Sequence, residues 1–460
     1  MRNYELNRLK SEDVKKLLFS LSVPAIIAQL VSLLYNVVDR MYIGHIKDVG
    51  GLALTGVGVT IPLSIIIAAF AILVGVGGAP NVSINMGKGR KDQAEEILGN
   101  CFTTLIIFSI ILTAFFLVFN EKLLLLFGAS ENTLPYALKY MNICTLGTVF
   151  LQLSIGLNPF ARTQGFAKES MITISIGAII NIILDPIFIY TLNMGVNGAA
   201  LSTVVSQAVS AIWITRFLTC EKSTLKIKKK YIGFNPKLMG PVLFLGLSPF
   251  VIQFTESFVI ILFNYQLQRY GGDSAVGAMT IASTAMQFLL LPLMGLAQGA
   301  QPIISYNYGA KLYKRVNDAF KYLLLSSVIF SIAFYLIIMI FPNSFVNLFT
   351  KDQSILREAS SSLKIYMFCS FMLGVQLACQ QTFIALGNAT TSVFLAILRK
   401  VILLMPLVII LPNLYENKVF AVFLAEPISD VIATITTSIL FYRYSKEVLS
   451  ENDEEFSLNQ

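Results

Sequence analysis

Histidine and charge are what this chain has least of. One histidine, His45, stands among 460 residues, and Asp, Glu, Lys and Arg together make up only 13%. An average soluble domain carries roughly 25% charged residues. Too little charge is present to clothe a soluble surface. The five cysteines, Cys101, Cys144, Cys220, Cys369 and Cys379, are scattered through apolar segments with no pair at metal or redox spacing. They read as small apolar residues, which excludes a disulfide framework or a cysteine metal centre. His45, near the end of the first apolar stretch, reads as incidental.

What is there is hydrophobic: 55% of the chain. Stretches such as "TTLIIFSIILTAFFLVF" and "YLLLSSVIFSIAFYLIIMIF" approach the ~20 residues that cross a bilayer. Twelve of them recur along the sequence. The first is preceded by the charged segment "MRNYELNRLKSEDVKK" and lacks a small-residue cleavage site, so it reads as a retained helix rather than a signal peptide. The expectation is an all-α, multi-pass protein of the cell membrane.

A net charge of +8 invites a nucleic-acid reading. Its distribution speaks against one, because the basic residues flank apolar spans instead of gathering on one folded face. Lys and Arg concentrate in the N-terminal tail, the even-numbered connections and the C-terminal tail, so both termini are expected in the cytoplasm. The run "EKSTLKIKKKYIGFNPK" is then a cytosolic linker beside anionic lipid. The expected organisation is a tail at 1–16, a six-helix lobe at 17–219, a basic linker at 220–237, a second six-helix lobe at 238–444 and a tail at 445–460.

An internal repeat supports that division. "PNVSINMGKGR" at 80–90 returns as "PIISYNYGAKL" at 302–312, and at the same offset of 222 Gly165 meets Gly387 and Ser170 meets Ser392. Six spans return the chain to the same side, so the halves are parallel repeats about a pseudo-two-fold along the membrane normal, with a cavity expected between the lobes. The motif itself reads as a helix end: Asn and Gly suit the cap and the following Lys and Arg complement the dipole.

The repeat makes its exceptions informative. Asp39 in "YNVVDRMY" and Asp185 in "NIILDPIF" interrupt runs otherwise apolar enough to span, at a cost of at least ~2.5 to 3.5 kcal/mol each on insertion scales. Asn181 lies four residues before Asp185 on the same helix face, and Thr203 falls at a similar depth. An amide, two carboxylates and a hydroxyl suit Na⁺ or a shared proton; the alternative is a hydrogen-bond network that only fixes packing. At the repeat offset, Leu403 and Leu407 replace Asn181 and Asp185. The second half has its own acids, Glu256, Glu426 and Asp430, with Arg399 near enough to pair with one of them.

Taken with "ARTQG", "VNGAALSTVVSQ" and "LAEPISD", the segments "LYNVVDRMYIGHI" and "NIILDPIFIY" resemble the MATE family of multidrug and toxic compound extrusion transporters, most closely its bacterial multidrug-export branch. The resemblance implies two six-helix lobes in a V around a central cavity, alternating access, and export of amphipathic organic cations in exchange for H⁺ or Na⁺. Asp39, Asn181, Asp185 and Thr203 match the family's first-lobe cation cluster. Glu256 falls where some members carry a second-lobe acid; those members also have an acid on helix 10, where this chain reads "GVQLACQQTFIALG".

The expected partners are organic-cation or drug substrates and membrane lipids, with no nucleic acid, no cofactor, no metal beyond Na⁺ at the first-lobe cluster, and a monomeric working unit. Tyr35, Met286, Gln287 and Phe288, together with Glu256, are the expected substrate contacts, since aromatic and Met surface suits amphipathic cations. Two rival readings are a flippase for a lipid or lipid-linked sugar, and a membrane enzyme for prenyl diphosphates. The enzyme needs a second acid-rich motif facing "NIILD", and the matching segment "LLMPL" has none.

Overall fold

The computed structural model describes residues 2–47, 49–349 and 353–450; residues 451–460 of the expected C-terminal tail lie outside them. Among the described residues the chain forms helices and connections, with no strand. Ten helices are long and apolar enough to cross a membrane. One of these, Pro236–Gly309, runs for 74 residues and turns sharply at Gly272, whose φ of 67° favours glycine, so it supplies two spans. The pair Leu134–Leu146 and Thr148–Thr163, bent by 59° at Gly147, supplies one more and brings the total to twelve.

In chain order, helix 1 is Val14–Gly44, helix 2 Gly50–Gly87, helix 3 Lys91–Leu126, helix 4 the bent pair, helix 5 Ala167–Thr191 and helix 6 Val196–Thr219. Helices 7 and 8 are the two arms of Pro236–Gly309, helix 9 is Tyr313–Ile340, helix 10 Glu358–Ala385, helix 11 Ala389–Leu414 and helix 12 Lys418–Val448. Polar caps mark several starts. The side chains of Asp13, Asn235, Asn388 and Asn417 accept backbone N–H groups at the heads of helices 1, 7, 11 and 12. His45 follows helix 1, its Nδ1 2.7 Å from the Met41 carbonyl.

The first lobe packs around Val74, Leu98, Leu105 and Phe160, with a second group at Leu63, Leu112, Phe116 and Met141. The other lobe packs around Phe263, Leu289, Leu363 and Phe423. Large apolar side chains such as Ile110, Val118, Ile329 and Leu336 stay exposed, as a lipid-facing surface requires.

Glycines join the lobes. A Cβ on Gly77 of helix 2 would meet the backbone of helix 7, with Gly246 N only 2.7 Å away; a Cβ on Gly299 of helix 8 would meet helix 1, with Ser22 N 2.6 Å away. Gly77 and Gly299 are themselves 222 residues apart. At the end of the same seam, Gly87 faces the Tyr306 carbonyl and Gly309 faces the Ile84 carbonyl, each too close for any side chain. The repeated motif is therefore where helices 2 and 8 cross.

Two further segments brace this end. Arg2–Ser11, within the expected N-terminal tail, is a helix whose Leu6 packs against the cores of both lobes and whose Leu9 is buried. Arg315 donates to the carbonyls of Leu9 (3.2 Å) and Glu12 (2.7 Å), and Asn307 donates to Leu9 (3.0 Å). The basic linker is pinned to helix 3, where Lys228 pairs with the buried Glu95 and Asn100 Oδ1 accepts the Asn235 N–H at 2.7 Å.

Candidate cation-binding site

Helices 1 and 5 bring Asp39, Asn181 and Asp185 together, beside Ser202 of helix 6, in the half of the bundle away from the Gly87–Gly309 crossing. The three residues are 9%, 2% and 0% exposed. Asn181 Nδ2 lies 3.3 Å from Asp185 Oδ1 and 3.2 Å from Ser202 Oγ. Ser202 donates its hydroxyl to the same Asp185 oxygen. Asp39 lies next to Asp185, close enough for the two carboxyl groups to act on each other electrostatically.

Three buried oxygens in this cluster, Asp39 Oδ1, Asp185 Oδ2 and Asn181 Oδ1, have no protein partner. Among the described residues neither carboxylate has a salt-bridge partner. Arg40, the adjacent base, is exposed. Buried carboxylates are stable only when protonated or paired with a cation. A set of convergent, unpaired oxygens meets that need for a small hard cation or a proton.

Asp39 also lines a cavity of about 560 Å³ formed by helices 1, 2, 4 and 6, with Gln253 from helix 7 at its edge. Tyr35, Tyr140, Thr203 and Gln207 share that wall. Asp39 therefore stands between the cavity and the enclosed Asp185. Thr203 is placed differently from the sequence expectation: its hydroxyl donates to the Ala199 carbonyl at 3.0 Å and, like Tyr140, it lines the cavity, while Ser202 makes the contact with Asp185.

Of the expected substrate contacts, Tyr35 lines the cavity. Met286 instead is buried in the second lobe's core, Phe288 packs edge-on to Phe345 at 6.4 Å, and Gln287 is exposed; none of these three lines the cavity. Glu256 pairs with Lys400 at 3.0 Å. Arg399 binds both Asp430 (2.7 Å) and Glu426 (3.3 Å). Sequence reasoning did not single out Ser202, Tyr140 or Lys400.

Comparison with known proteins decides the family. The MatE family matches this chain twice, over residues 24–187 and 250–410, once in each lobe. The chain belongs to the MatE family. It is thus a multi-pass membrane transporter of the MATE type rather than an enzyme. Similar proteins include the multidrug export protein MepA of Staphylococcus haemolyticus, 26% identical over 436 residues covering 94% of this chain and 95% of that protein. MepA of Staphylococcus aureus strain MRSA252 is 25% identical over 444 residues, covering 96% and 97%.

Among solved structures, the MATE multidrug transporter DinF-BH, solved as a complex, superimposes with a TM-score of 0.87 at 34% identity, covering 94% of this chain and 96% of its own. A MATE structure in a bent conformation shares the fold with a TM-score of 0.90 at 22% identity, covering 98% and 99%.

Proposed function

We propose that this MATE transporter exports amphipathic organic cations in exchange for H⁺ or Na⁺ held by Asp39, Asn181 and Asp185. One observation carries the reading: two buried carboxylates without a basic partner, with three unpaired oxygens converging, stand behind a cavity of about 560 Å³. The tyrosines and glutamines of that cavity suit an organic cation that needs both π-surface and polar contacts. Relatives named as multidrug exporters, and the multidrug transporter DinF-BH among the solved structures, support the substrate class.

With the Lys- and Arg-rich connections in the cytoplasm, the Gly87–Gly309 crossing closes the cytoplasmic end and the cavity faces outward. A coupling ion enters by way of Asp39, is passed to Asp185, and neutralises the pair. Without that negative charge the cavity loses its hold on a cationic substrate. Competition between ion and substrate for the same carboxylates makes the exchange obligatory.

The test is ethidium efflux in inverted membrane vesicles with H⁺ and Na⁺ gradients imposed one at a time. Asp39→Asn and Asp185→Asn should each abolish gradient-driven efflux while leaving the protein inserted. Efflux that persists in the double variant would show that coupling lies elsewhere.

A further inference from the structure

A second charged cluster lies on the matching helices of the other lobe. Its members come from helices 7, 11 and 12, which the 222-residue repeat pairs with helices 1, 5 and 6 of the first site. Its chemistry is different. Lys400 Nζ lies 3.0 Å from Glu256 Oε2, while Arg399 is shared between Asp430 and Glu426.

Helix 11 passes through a π turn here, Leu398–Leu404, in which the Met405 N–H bonds to the Lys400 carbonyl five residues back. The wider turn brings two consecutive bases inward, Arg399 toward helix 12 and Lys400 toward helix 7. Three carboxylates meet two bases, with Tyr366 alongside. One carboxylate is left in excess, and Glu426 Oε2 is buried without a partner.

Glu256 is the reachable acid of the set. Its side chain is 42% exposed, against 3% for Glu426 and 1% for Asp430, whereas that of Lys400 is only 9% exposed. A buried ammonium at hydrogen-bonding distance fills the position that a free cation would take beside this carboxylate. We propose that Lys400 is a built-in counter-cation, which occupies Glu256 so that this reachable acid holds no exchangeable alkali ion. Its meaning for transport rests on the first-lobe reading above; its statement about ion binding does not.

The experiment is equilibrium binding of radiolabelled Na⁺ to the purified full-length protein in detergent. It is run at pH about 9, where protons compete least for buried carboxylates. All proteins carry Asp39→Asn and Asp185→Asn, which removes the first site. That background should bind no saturable Na⁺. Adding Lys400→Met should create about one site per protein, and adding Glu256→Gln to it should abolish that site again.

Removing both partners of an ion pair is better tolerated than leaving one charge unpaired, so the Lys400→Met/Glu256→Gln form serves as the folding reference. Lys400→Gln replaces Lys400→Met if the latter does not elute as a single species. A folded Lys400 variant that binds no more Na⁺ than its background overturns the proposal. So does saturable binding with Lys400 intact that Glu256→Gln removes. Failure of the first-lobe reading shows elsewhere, as gradient-driven efflux surviving without Asp39 and Asp185.

Discussion

Ser202 on helix 6 donates its hydroxyl to Asp185 Oδ1 on helix 5, the same oxygen that Asn181 approaches at 3.3 Å. Two donors on one oxygen leave Asp185 Oδ2 turned away from them and without a protein partner. The aim of the free oxygen is thus set by a residue that itself holds no ion. A hydrogen bond to a charged group contributes about 1.5–3 kcal/mol. A donor to a carboxylate favours its charged form, so Ser202→Ala should shift the ion concentration that half-saturates ethidium efflux by roughly tenfold or more, downward when the coupling ion is H⁺, since ~1.4 kcal/mol is tenfold. Ser202→Thr should show little of that shift, because it keeps the hydroxyl. An unchanged ion dependence in Ser202→Ala would reduce this contact to packing.

Asp39 and Asp185 were legible from the sequence because a carboxylate in an apolar run needs compensation, and Asn181 followed by helical spacing. Ser202 was not. Estimating depth along a helix sets height, but rotation decides which of two adjacent hydroxyls faces a neighbour, and Thr203 points into the cavity instead.

Lys400 escaped for a related reason. Beside Arg399, near the expected cytoplasmic end of helix 11, it reads as a membrane flank until the π turn carries it inward. Met286, Gln287 and Phe288 lie away from the cavity, because composition marks a helix as suitable without telling which face packs on its own lobe. The spans themselves were plain from hydropathy, and the repeat located the crossing of helices 2 and 8. The break at Gly272 falls where the apolar spans were already expected to divide, whereas the bend at Gly147 is a backbone choice that local composition does not announce.

The Gly87–Gly309 crossing predicts a shift in conformation. Gly87→Val or Gly309→Val places a branched side chain against a carbonyl of the opposite helix, which has no room for even a Cβ. Either variant should open this end. Distances between spin labels at the Gly87 end of helix 2 and the Gly309 end of helix 8 should lengthen without added ligand, and cysteines placed there should cross-link less. Distances identical to those of the unmodified glycines would show that the crossing tolerates separation.

Arg315 gives a third prediction. It holds the carbonyls of Leu9 and Glu12, and with Asn307 it fixes the N-terminal helix beneath both lobes. Arg315→Ala removes two charge-assisted hydrogen bonds, about 3 kcal/mol or more together. Amide exchange in residues 5–11 should then accelerate by roughly a hundredfold, at 1.4 kcal/mol per factor of ten, while exchange in helices 9 to 12 stays within a few-fold. Uniform acceleration throughout the second lobe would instead mean that Arg315 supports the lobe as a whole.

The glycine seam also sets a lever. Gly77 and Gly87 are ten residues apart on helix 2, which is about 15 Å of helix. A rigid swing of about 15°, pivoting near Gly77, carries the Gly87 end through about 4 Å, enough to part backbones that now touch. No helix has to unwind for this. The lobes can come apart like the two halves of a clothes-peg, with the spring at mid-membrane and the jaws at one surface.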